Sequence, residues 1–85
     1  MPYQAKVTVM FRKSILDPQG AAVERALKAH SEGIDISSVR VGKVIELMVD
    51  GPGPDIVEEK VKVLADRILA NPVMEEYTVQ VESLS

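Results

Sequence analysis

The chain has 85 residues, 46% of them hydrophobic, with no cysteine and a single histidine, so it makes one domain (1–85) without disulfides or thiolate metal sites. Ten basic and thirteen acidic residues are spread along it for a net charge of −3, which argues against a nucleic-acid partner. No apolar run is long enough to cross a membrane, and the start, Met1 to Lys6, lacks the order of a signal peptide, so a cytoplasmic location is expected. With one Phe, two Tyr and no Trp, the core must be built from Val, Ile, Leu, Ala and Met. A core this light in so small a domain favours stabilisation by association, and a homo-oligomer is expected.

Tyr3 to Arg12 alternates, with Tyr3, Ala5, Val7, Val9 and Phe11 on one face, as a half-buried strand requires. Arg12-Lys13-Ser14 then carries the chain off the sheet. Asp17 is placed as N-cap of the first helix, with Pro18 at the first helical position, where a missing N–H costs nothing. Val23, Ala26, Leu27 and His30 follow at the spacing of one helical face, and Glu24 and Lys28 form an i,i+4 pair. Ser31-Glu32-Gly33 closes the helix, with Gly33 free to turn left-handed.

The central stretch, 38–50, alternates Val39, Val41, Ile45, Leu47 and Val49. A two-residue turn at Gly42-Lys43 would divide these residues between the two faces. Keeping them together needs either a three-residue loop at 42–44 or one strand bent at Gly42. The bent strand would span about 40 Å and call for a partner from a second subunit. The 51–54 loop breaks the strand, and Asp55 with Glu58 reads as the cap of a second helix. That helix carries an apolar stripe of Val57, Val61, Leu64, Ala65 and Ile68 and stops at Asn71-Pro72. Val73 to Glu82 is the last strand.

Two helices lying between strands predict an α+β two-layer sandwich of ferredoxin-like type, β-α-β(β)-α-β. Right-handed crossovers would place both helices on one face of a mainly antiparallel sheet. The open face would carry Thr8, Met10, Val44, Met48, Met74 and Thr78, too apolar for water alone.

The residues offer no catalytic constellation. His30 is read as a helix-ending histidine rather than a base, and no serine has an oriented partner. Glu58 and Glu59 fit the first turn of a helix, where they complement its dipole, better than a metal site. The Gly-Pro loop lacks the G-x-x-x-x-G-K pattern of a phosphate cradle. Arg40 and Lys43 lie near strand ends, where they could meet acids of another chain or simply be solvated. From these residues alone the chain is a small associating module, and its function is open.

Leu16-Asp17-Pro18-Gln19-Gly20 with Ala22-Val23 and Ala26-Leu27, then Val39-Arg40-Val41-Gly42-Lys43 running into Ile45-Glu46-Leu47, then Leu69-Ala70-Asn71-Pro72-Val73 with Glu75, Glu76 and Tyr77 form three ordered blocks. Together they resemble the PurS family of subunits of phosphoribosylformylglycinamidine synthase over nearly the whole chain. Arg12-Lys13-Ser14-Ile15 departs from the Lys-Pro-Gly-like turn of that pattern. The resemblance implies a subunit with no active site, metal or cofactor of its own. It would join a glutaminase and a large synthetase that uses ATP and Mg, assembling them and assisting ammonia transfer. It also implies an oligomer, a dimer or tetramer, with neither nucleic acid nor membrane as partner. Asp17, Gln19, Arg40 and Lys43, polar residues inside the blocks, are the expected partner contacts, although Asp17 serves equally as a helix cap. A ligand-sensing regulatory domain of ferredoxin-like fold is the alternative, distinguished by dose-dependent stabilisation by a small molecule.

Overall fold

The alternation of residues 3–11 produces the strand that organises the sheet. A computed structural model describes residues 1–84. It contains β1 (Pro2–Phe11), α1 (Pro18–Lys28), β2 (Gly42–Asp50), α2 (Pro54–Leu64) and β3 (Glu75–Ser83), with a π-helical turn (Ala65–Leu69) extending α2. The strands form an antiparallel sheet in the order β2-β1-β3. β1 therefore has neighbours on both sides, and its inward residues Tyr3, Ala5, Val7 and Val9 are buried. The register sets Val7 between Ile45 and Val79, and Ala5 between Leu47 and Val81. Apolar cross-strand rows of this kind are the unit of sheet stability. The result is the α+β layering the sequence predicts, with an antiparallel sheet.

α2 supplies the second layer. Val57, Val61 and Ala65, one helical turn apart, are buried against the sheet, as their spacing predicts. Leu64 and Ile68, which share that stripe in the sequence reading, are instead exposed. The π turn explains Ile68. The amide of Ala70 donates to the carbonyl of Ala65, five residues back, at 2.8 Å, and the wider turn brings Leu69 and Ala70 rather than Ile68 onto the core. The helix also begins earlier than Asp55. Gly53 is the N-cap and Pro54 the first helical residue, and no side chain closes the cap. Glu58 pairs with Lys62 at 3.5 Å instead of forming a capping box. The last strand starts at Glu75 because Asn71 folds back on itself: its carbonyl accepts from the amides of Met74 and Glu75, and its side chain accepts from Val73.

α1 begins as expected, capped by Asp17, and its Glu24–Lys28 pair closes at 3.2 Å. It ends at Lys28, short of the expected stop, and Gly33 takes its left-handed conformation (φ +81°) in a later turn. The helix does not cover the sheet. Gly20 is its one buried residue, and Val23 and Leu27 are 40% and 43% exposed. Ile45, Leu47 and Val49 are accordingly only half-buried. The topology explains the difference. α2 joins β2 to β3, which run parallel with β1 between them, so its connection must cross the sheet. α1 joins β1 to its antiparallel neighbour β2, and no crossover is needed.

The central stretch is neither a hairpin nor a bent strand. β2 starts at Gly42, and residues 38–41 pair with no strand. Ser38 has φ +57°, a left-handed conformation uncommon outside glycine, which breaks the extended run before Val39. The 38–50 span thus yields one strand of nine residues within the chain.

Candidate functional site

Residues 38–41 lead the chain back from α1 to β2, and carboxylates on α1 hold them there. One oxygen of Asp17 accepts the amide of Gly20 at 2.9 Å and caps the helix; the other accepts the amide of Val41 at 2.9 Å. Seven residues on, and so on the same side of the helix, Glu24 accepts the amide of Val39 at 3.3 Å. Amides given to side chains are not available to a sheet, which is why Val39 and Val41 form no strand. The charged oxygens gain from these bonds. The Val41 and Gly20 amides, helped by Gln19 and Arg40, hold Asp17 below its ordinary value. The Val39 amide and Lys28 do the same for Glu24. A Cβ on Gly20 would lie 2.5 Å from the carbonyl oxygen of Val39, so the close approach of helix and return segment requires glycine.

The same segment places Arg40. Its guanidinium donates to the carbonyl of Phe11 at the end of β1 and lies 3.9 Å from Glu76 of β3. Arg40 thus ties the return segment to two strands. Next to it, Gln19 and Lys43 line a depression of about 210 Å³ with Val9, Phe11, Val41, Gly42 and Glu75. At Gly42 a Cβ would collide with the Met10 sulfur and the Val9 carbonyl, so the floor of this depression also depends on a missing side chain.

The four residues singled out in the sequence therefore gather at one end of the sheet. Asp17 and Arg40 are engaged in structural bonds, the former as the cap it resembles in the sequence. Gln19 and Lys43 face the depression, and the side chain of Lys43 makes no hydrogen bond or ion pair among the described residues. Sequence reading missed Glu24 as a clamp, although its separation from Asp17 is the available signal. It also missed Arg12, whose guanidinium gives two hydrogen bonds to the Pro72 carbonyl, at 3.2 and 2.7 Å, and fixes the turn before β3. Among the described residues, nothing at this end of the sheet pairs a nucleophile with a base; His30 is exposed just beyond α1. Among the described residues, no three His, Cys, Asp or Glu side chains come together as a metal site would require. No described helix is long and apolar enough to cross a membrane. The arrangement is a polar-edged depression at the rim of an apolar sheet.

Comparison with known proteins agrees over the full length. Residues 4–83 match the family model PurS, described as phosphoribosylformylglycinamidine (FGAM) synthase. The chain is 38% identical to the phosphoribosylformylglycinamidine synthase subunit PurS of Bacillus subtilis, with 96% of this chain and 95% of that protein aligned. It superposes on the structure of Thermus thermophilus PurS with a TM-score of 0.86 and 42% identity, covering both chains completely. It also superposes on a chain of the structure of PurLQS from Thermotoga maritima, with a TM-score of 0.85 and 32% identity over 95% of this chain and 98% of that one.

Proposed function

The chain belongs to the PurS family of FGAM synthase subunits, and from that premise we propose that it is the non-catalytic small subunit of this enzyme in purine biosynthesis. In this reading it acts in the cytoplasm as a homo-oligomer. It assembles a glutaminase subunit with the ATP-dependent synthetase that converts formylglycinamide ribonucleotide to the amidine. The observation that carries the proposal is the end-to-end match to a chain of PurLQS, a structure named for three components. The exposed apolar residues Val44 and Met48, 57% and 70% accessible, support association on the face opposite α2.

The chemistry gives such a subunit its purpose. Ammonia released from glutamine is protonated and diluted if it enters water, so the two active sites must be held together and shielded. A subunit can serve that need by geometry alone. ATP and Mg would then belong to the synthetase, and this chain would hold neither. Gln19 and Lys43 are the side chains offered to a partner, because Asp17 and Arg40 are occupied within the domain.

The test reconstitutes the glutaminase and synthetase with and without this chain and compares glutamine-driven with ammonia-driven amidation. The chain should be required for the first and dispensable for the second. Equal rates with and without it, together with no binding to either subunit, would overturn the proposal. Lys43→Glu should then weaken glutamine-driven activity about tenfold or more through the partner contact. Its urea midpoint should stay unchanged, because the Lys43 side chain makes no structural bond among the described residues.

A further inference from the structure

Among the described residues, the buried core residues Tyr3, Ala5, Val7, Val9, Val57, Val61, Ala65 and Ala70 come from β1, from α2 and from the turn after it. None lies between residues 10 and 56. α1 and the loop that follows therefore contribute no residue to the buried core. Their polar attachment includes the Asp17 and Glu24 bonds to the amides of Val41 and Val39, beside the backbone contact at Gly20, and their apolar residues Val23 and Leu27 stay 40% and 43% exposed. The loop, residues 29–41, has no strand or helix and contains both left-handed residues, Gly33 and Ser38. Long loops without regular structure are seldom passive connections.

We propose that α1 and residues 29–38 form an arm that opens as a unit from the 39–41 segment, released at the Asp17 and Glu24 latches, while the three strands and α2 stay folded. Each latch exchanges a carboxylate–amide hydrogen bond for hydration, and neither exposes core surface when it opens. Arg40 remains on the carbonyl of Phe11 and beside Glu76, so the hinge falls on the arm side of residue 39. Detaching α2 would instead uncover Val57, Val61 and the inward face of β1. Sub-global opening takes place where few apolar contacts resist it. The arm carries Leu16 next to its base and Ile34 in its loop, 81% and 66% exposed, so opening re-aims two apolar side chains relative to the sheet.

Residue-resolved hydrogen exchange on the full chain in its native assembly at neutral pH tests this. The amides of Ala29, Val39 and Val41 should exchange as one group, with protection at least about tenfold below that of Val7 and Val9. Asp17→Ser keeps a capping oxygen but cannot bridge two amides, and Glu24→Ala removes the second latch. Together they should lower protection of the Ala29, Val39 and Val41 amides by a further factor of about ten and leave Val7 and Val9 unchanged. Equal protection of the two groups in the unaltered chain would overturn the proposal, and that comparison holds even if the variant fails to fold. An equal loss of protection at both groups in the variant would overturn it as well.

Discussion

α1 and α2 are each eleven residues long, begin with proline and carry an apolar stripe, yet only one of them is part of the core. α2 has no side-chain cap and is held by Val57, Val61 and Ala65 against β1 and β3. α1 has a two-oxygen cap in Asp17, a second carboxylate in Glu24, and Gly20 as its one buried residue. Local chemistry is thus strongest in the helix with the least packing. Helical period sets what a helix could bury, and the order of strands sets whether a face is there to receive it.

Core substitutions should separate the two helices most. Val61→Ala removes two buried carbons at the centre of the α2 contact and should cost about 2–3 kcal/mol in urea denaturation. Val23→Ala, on the exposed stripe of α1, should stay within about 0.5 kcal/mol. Equal losses would mean that α1 packs in solution as α2 does. A smaller effect is expected from Gly20→Ala. The change raises helix propensity by nearly 1 kcal/mol, yet its Cβ meets the Val39 carbonyl, and repulsion there should outweigh the gain by about 1 kcal/mol. The loss should appear as faster exchange of the Val39 and Val41 amides while those of Val7 and Val9 are spared.

The smallest effect should come from pH. Asp17 and Glu24 both have folded values below their ordinary ones, so the folded state binds protons less readily than the unfolded chain. Their contribution is complete near neutral pH. It begins to fall as pH drops into the ordinary carboxylate range, and it is gone below their lowered folded values. A modest decline in denaturation midpoint between about pH 5 and 3, reduced in Asp17→Ser, would show it. A midpoint that rises with acid would contradict the assigned hydrogen bonds.

The resemblance in the three sequence blocks points to the right family because the blocks contain residues with fixed local duties. Asp17-Pro18 starts a helix, Gly20 and Gly42 permit close approach, and Asn71-Pro72 turns the chain into β3. Arg40 and Asp17, expected from the same blocks as partner contacts, also have bonds within the domain. A side chain that is polar and well placed in sequence can be consumed by backbone groups far along the chain, as the carbonyl of Phe11 consumes Arg40. Lys43 and Gln19 escape this only because no such group faces them, which no spacing rule could foretell.

By itself, the sequence determined the inward face of β1, the two helices, the proline start of α1 and the cap at Asp17. Each of these depends on neighbours within a few residues, where period and local hydrogen bonding decide. Tertiary structure alone decided the fate of residues 38–41, whose β-branched run reads as strand. Their amides met Asp17 and Glu24 before any neighbouring strand, and Ser38 turned the backbone aside. It also decided that α1 would stand apart from the sheet. An antiparallel β1–β2 pair needs no crossover, and that relation between strands 40 residues apart is written in no local pattern.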